Sequence, residues 1–171
     1  MEIKEIGNYT VLVEGEKEEK LVKFLYKKKE ETKEITDITT ICKNSFKNIS
    51  TLEDLSIGAK ESLIIEEFAF ENCSKLKTLV LDIKEKDLLI QSDAFKGCND
   101  LDCVYIKSAN KIIIEKDAFA QCYNLRVVIL KSANVEIREN VFESSNDLCV
   151  ISNSSDVESY CNEHGIEYKG L

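Results

Sequence analysis

The sequence predicts a solenoid of stacked, mostly β coils with a cap at each end, and three observations carry that prediction. The first is a period: Phe46, Phe70, Phe95, Phe119 and Phe142 stand 24, 25, 24 and 23 residues apart, and a fixed period of about 20–50 residues marks a repeat architecture. The second is what recurs around each Phe. Ile lies five residues before it (Ile41, Ile65, Ile90, Ile114, Ile137) and a small or β-branched residue one before (Ser45, Ala69, Ala94, Ala118, Val141). Three after come Ile49, Cys73, Cys98, Cys122 and Ser145, and six after come Leu52, Leu76, Leu101, Leu125 and Leu148. The third is alternation of apolar residues, as in Leu79-x-Leu81, Val104-x-Ile106 and Val128-x-Leu130 after the Leu, and Leu63-x-Ile65, Leu88-x-Ile90, Ile112-x-Ile114 and Val135-x-Ile137 before the Phe. Period two means strands with one face inward.

Taken in chain order, Tyr9–Val13 alternates, Glu14-Gly15-Glu16 can turn, and Leu21–Tyr26 resumes the alternation, which predicts a hairpin leading into a degenerate first coil over Lys27–Ile38. The Lys/Glu run from Lys27 to Glu34 reads as a solvated stretch. About five repeats follow, each a strand, a turn, a second strand and a helical or 3₁₀ turn at the Phe, where small, aromatic and thiol groups lie within one turn's reach. In the fifth, the spacing puts Ile151 on the core side and Ser152 outside, and Asn153 ends the series. At the C-terminus, Ser155 with Glu158 fits a capping box, Val157, Tyr160 and Cys161 share one apolar face, and Gly165 suits the position after a helix. A last strand, Ile166–Tyr168, is expected. The organisation predicted is one structural domain: 1–37 as an N-terminal β cap with the degenerate coil, 38–153 as repeats, 154–171 as a C-terminal cap. No unit of this size buries its own apolar face, so neighbours must stack and the ends must be covered.

The segments Ala69-Phe70-Glu71-Asn72-Cys73-Ser74-Lys75-Leu76 and Ala118-Phe119-Ala120-Gln121-Cys122-Tyr123-Asn124-Leu125 resemble the BspA-type leucine-rich repeats, from about Ile38 to the C-terminus. The resemblance implies a leucine-rich-repeat solenoid, a right-handed superhelix, that recognises other proteins on bacterial or host surfaces without catalysis. It departs in one respect. The family's Pro after the first strand is missing, and its Gly after the Ile is replaced by Cys42, Glu66, Gln91, Glu115 and Arg138, so the coil-to-coil connections are expected to differ.

Composition narrows the chemistry. The 171 residues hold 23 Lys and Arg against 32 Asp and Glu, for a net charge of −9, with one His, seven Cys, and neither Trp nor Pro. No stretch concentrates basic residues, which removes the main term in nucleic-acid binding. No apolar run approaches the ~20 residues needed to span a bilayer, so membrane insertion is not expected. The N-terminus shows no export pattern and the odd thiol count suits reduced Cys, which lean cytoplasmic; the resemblance leans surface or secreted. Cys73, Cys98 and Cys122 could suggest a metal ladder, but zinc wants four converging ligands, and stacked thiols under a Leu read as core. Cys42, Cys103 and Cys149 lie off the core pattern. Cys161-x-x-His164 lacks the third group and oxyanion hole of a thiol nucleophile. No metal, no cofactor and no enzymatic activity are predicted.

Two outward columns remain. Four residues after the Leu stand Ser56, Val80, Tyr105, Ile129 and Ser152, bordered by the alternating charges Glu53, Lys77, Asp102 and Arg126 one residue after the Leu. One residue before the repeat Ile stand Thr40, Ile64, Leu89, Ile113 and Glu136. Contiguous outward apolar residues mark interaction sites. The expected role is a protein-interaction module whose candidate surface is Val80, Tyr105 and Ile129 with Lys77, Asp102 and Arg126, and a second candidate column is Ile64, Leu89 and Ile113. A homodimer through the same surface is the alternative.

Overall fold

The structure, a computed structural model, describes residues 2–6, 9–13, 39–107 and 109–171. β1 (Glu2–Ile6) pairs antiparallel with β2 (Tyr9–Val13). The expected strand Tyr9–Val13 is present, and its pairing with the preceding segment Glu2–Ile6 adds a strand to the expectation. Leu21–Tyr26 and the degenerate coil Lys27–Ile38 lie outside the described residues.

From Thr40 onward the chain winds two parallel sheets. The six-stranded one runs β4 (Asp54–Gly58), β6 (Thr78–Asp82), β8 (Cys103–Lys107), β10 (Val127–Leu130), β12 (Cys149–Ser152), β13 (Glu167–Lys169). The five-stranded one runs β3 (Thr40–Ile41), β5 (Leu63–Ile65), β7 (Leu88–Ile90), β9 (Ile112–Ile114), β11 (Val135–Ile137). Strands pair with those one coil away, because each short strand has its apolar face turned to the interior and its backbone groups free above and below. The repeat Ile, Leu and Phe side chains, from Ile41 to Leu148, are all buried except Ile137, which is half-buried.

The Phe rings form one stack. Successive centroids from Phe46 to Phe119 lie 5.0, 4.9 and 5.1 Å apart with planes within 9° of parallel. Phe142 follows at 5.9 Å, and Tyr160 closes the stack edge-on at 6.1 Å. Beside it runs the thiol column. Cys73 Sγ donates to the Phe46 carbonyl at 3.1 Å, Cys98 to that of Phe70 and Cys122 to that of Phe95, both at 3.3 Å. A thiol suits this position because it packs as an apolar group and still satisfies a buried carbonyl from the coil before.

The helical turn expected at each Phe is realised as consecutive i→i+3 turns with two left-handed residues, two before and two after the ring. The first position holds Asn44, Phe68, Asp93, Asp117 and Asn140, and the second Asn48, Asn72, Gly97, Gln121 and Ser144, all with positive φ. Asn and Asp tolerate this region; Phe68, at φ +57°, is a bulky exception. Its ring is covered by Lys43 Nζ at 5.3 Å and Lys47 Nζ at 5.2 Å from the centroid. Gly97, at φ +72°, has a steric reason as well: an added Cβ would lie 2.3 Å from Asn72 Oδ1, which is anchored by the Asn72 Nδ2 bond to Asn48 Oδ1 at 3.3 Å. Gly97→Ala is expected to destabilise by at least about 1 kcal/mol, read as a lowered urea midpoint at unchanged slope.

The residues after the Ile, where this chain departs from the family pattern, tie coils together. Glu66 Oε2 accepts the Lys43 N–H at 2.9 Å, Gln91 Oε1 the Glu67 N–H at 3.2 Å, and Glu115 Oε2 the Ser92 N–H at 3.3 Å. Each acceptor serves the N–H one coil earlier, an arrangement glycine cannot provide.

At the end, α1 (Ser155–His164) lies over the last coil with Val157, Tyr160 and Cys161 buried, and Gly165 (φ 68°) ends it. The N-cap is Ser154 rather than Ser155, and its side chain makes no cap bond. The last strand is shifted by one residue, to Glu167–Lys169, and Tyr168 Oη donates to the Ser152 carbonyl at 2.7 Å.

Candidate docking surface

The outer face of the six-stranded sheet is built by the residues that alternate with the core. In register, one outward column reads Ser56, Val80, Tyr105, Ile129, Ile151, Lys169, and a second reads Asp54, Thr78, Cys103, Val127, Cys149, Glu167. The expected fifth member, Ser152, is buried. It pairs with Leu130 in the core column and its Oγ donates to the Leu130 carbonyl at 3.2 Å. The repeat loses one residue between Leu148 and its strand, so Val150 rather than Ile151 enters the core and Ile151 joins the outer face.

The sheet thereby carries a two-column, largely apolar island on four strands: Val80, Tyr105, Ile129 and Ile151 beside Thr78, Cys103, Val127 and Cys149, all half-buried. Charges ring it. At the N-terminal ends of the strands, Lys77 Nζ meets Glu53 at 3.0 Å, and Arg126 holds Asp102 through two bonds at 2.5 and 2.8 Å. The guanidinium keeps the Asp102 carboxyl below its usual range, and the Glu53 hydrogen bond raises Lys77. At the C-terminal ends, Lys107 Nζ lies 3.2 Å from Asp82, and Lys131 Nζ sits 5.7 Å over the Tyr105 ring. Beyond the rim, Tyr123, 57 % exposed, and Asp147 line a cleft of about 320 Å³ with Asp102 and Arg126. Tyr123 falls outside both outward columns and is reached only through the turn geometry.

On the five-stranded sheet Ile64, Leu89 and Ile113 also align in register. Their column is narrower. Thr40, expected outside, is buried, and Glu136 ends the row by pairing with Lys111 at 2.6 Å and Arg138 at 3.0 Å.

The remaining chemistry is spread apart. Cys161 is fully buried while His164 is exposed, its Nδ1 2.8 Å from the Tyr160 carbonyl and its ring stacked on Tyr160. His164 also borders a polar cleft of about 630 Å³ with Glu143, Asp147 and Glu167, which holds no thiol. Among the described residues, no group of three or more His, Cys, Asp or Glu is placed to hold a metal ion, and no helix is long and apolar enough to cross a membrane. Burial pushes the Cys73 and Cys122 thiols up to about 12 and Cys161 to about 11. Native-state alkylation is therefore expected to label Cys42, Cys103 and Cys149 and to spare Cys73, Cys98, Cys122 and Cys161, with mass spectrometry of the digest as the check.

Two parallel sheets joined coil by coil around a Phe and Leu interior define a leucine-rich-repeat solenoid, a class typically without catalysis that presents sheet surfaces to other proteins. The chain belongs to the BspA type leucine rich repeat family, whose pattern matches residues 23–163 in six copies. That is one copy more than the five Phe anchors show, and the match begins ahead of the described coils. No curated protein and no solved structure shows a significant match to the chain.

Proposed function

We propose that the chain is a non-catalytic protein-interaction module that docks its partner on the outer face of the six-stranded sheet. One observation carries this: the apolar island on β6, β8, β10 and β12 is closed on both sides by charged rims, the anatomy of an interface core with a polar edge. Tyr105 stands near its centre and Arg126 at its rim, residue types enriched where interface energy concentrates. The ladder of turns and parallel strands makes the face rigid, so little conformational entropy is lost on docking. Following the family, the partner is a protein displayed on a cell or host surface.

Tyr105→Asp is expected to abolish capture of that partner by the immobilised full chain while the thermal midpoint stays within a few degrees. Ile113→Asp, on the opposite sheet, is expected to leave capture intact. Capture that survives Tyr105→Asp and fails with Ile113→Asp would move the docking site to the other sheet.

A further inference from the structure

We propose that the six-stranded face also takes a second copy of this chain, docked about a two-fold axis parallel to the solenoid axis, so that each strand faces its own copy antiparallel. This rests on the reading of that face as a docking surface and names an occupant for it.

A two-fold interface is isologous: where residue i meets residue j of the copy, j meets i. Turned about this axis, the column Val80, Tyr105, Ile129, Ile151 falls on the copy's Thr78, Cys103, Val127, Cys149, coil by coil. Both columns are apolar, or Thr, on the same four strands and polar on β4 and β13, so the islands coincide without offset. The charges match too. Lys77 and Asp82 bracket β6, Asp102 and Lys107 bracket β8, and Glu167 and Lys169 lie in β13. Each of these strands thus carries opposite signs at its two ends, and antiparallel docking sets each charge against its opposite in the copy. Arg126 and Lys131, around β10, are the like-signed exception. All of these rim charges already have a partner within the chain, Lys77 in Glu53, Asp82 in Lys107, Asp102 in Arg126, Glu167 in Lys169 and Lys131 in the Tyr105 ring. Docking therefore adds a second opposite charge to each pair rather than a first, in keeping with a weak contact.

Strands about 4.8 Å apart and about 3.3 Å per residue give six strands of five residues a footprint on the order of 500 Å² per copy. Tight complexes bury about 800 Å² per partner, so the dimer is a weak, concentration-dependent one.

The test is sedimentation equilibrium of the full chain from about 1 to about 300 μM, with the parent, Tyr105→Asp, Lys77→Glu and the double variant Lys77→Glu with Asp82→Lys. Expected are a rise to twice the monomer mass for the parent, monomer for Tyr105→Asp, at least tenfold weaker association for Lys77→Glu, and recovery in the double variant, whose swapped charges again face opposite signs. Circular dichroism melts show whether each variant is folded. A parent that stays monomeric throughout overturns the second copy and leaves the docking face to its other partner. A dimer indifferent to Tyr105→Asp places the contact on another surface and overturns the second copy on this face, while the docking reading stands or falls by the capture test. A dimer lost with Tyr105→Asp but not rescued by the charge swap overturns the axis.

Discussion

Truncating Phe95 to Ala is expected to remove about 3–5 kcal/mol of stability, the range for an aromatic cut out of a core that cannot collapse around the void. Phe95 is fully buried, with Phe70 at 4.9 Å on one side and Phe119 at 5.1 Å on the other, each within 4° of parallel. Its backbone is pinned as well: the Phe95 N–H donates to the Ala118 carbonyl at 2.8 Å and its own carbonyl accepts the Cys122 thiol. The turn therefore cannot settle inward, and the void persists. Phe142→Ala, at the end of the stack where the planes already diverge by 23°, is expected to cost less. Urea unfolding of both variants measures the difference. A loss below about 1 kcal/mol for Phe95→Ala would mean that the rings do not form the stack.

The stack was legible in the sequence because repetition supplies its own control: five Phe at one spacing, with Leu six residues later each time, admit one register. The same logic misled at the last coil. Leu148 keeps its distance from Phe142, yet the strand after it starts one residue sooner, and counting from the Phe assigned Ile151 to the core. Hydrophobicity alone could not settle this, since Val150, Ile151 and Ser152 contain two apolar candidates and a one-residue slip exchanges the faces of the strand. Parallel pairing with β10 decides it.

The outer face was half legible. Val80, Tyr105 and Ile129 stand out as apolar residues at polar positions, but Thr78, Cys103, Val127 and Cys149 look unremarkable until strand alternation places them on the same side. Their mixed character, one hydroxyl, two thiols and one aliphatic, hides a column that is recognised by position. The left-handed residues around each Phe were missed for a related reason. Asn and Asp recur there, but Phe68, Gln121 and Ser144 interrupt the signal, and a three-residue spacing reads equally well as a helical turn.

Alkaline pH is expected to unfold the protein through the thiol column. Cys73, Cys98 and Cys122 are fully buried, and burial raises all three thiols, Cys73 and Cys122 to about 12 from an ordinary 9.0. Below about pH 9 the thiols are protonated in both the folded and the unfolded chain and add no pH dependence. Above it the unfolded chain releases these protons while the folded chain keeps them, so stability falls as pH rises toward the folded values. Each thiol contributes a slope of about 1.4 kcal/mol per pH unit, and three of them remove roughly 6 kcal/mol by pH 10.5, comparable to the 5–15 kcal/mol that holds a typical domain together. Lys77 and Lys96, raised by Glu53 and Asp93, add to the loss only above their own ordinary 10.5. Replacing Cys73, Cys98 and Cys122 together by Ala lowers stability at pH 8 through lost packing, but is expected to flatten the pH dependence between pH 9 and 10.5 by about 4 kcal/mol per pH unit. Urea unfolding at half-unit pH steps measures both slopes. Equal slopes in parent and triple variant would show that the thiols ionise within the folded solenoid, and that the column is not the dry interior its burial describes.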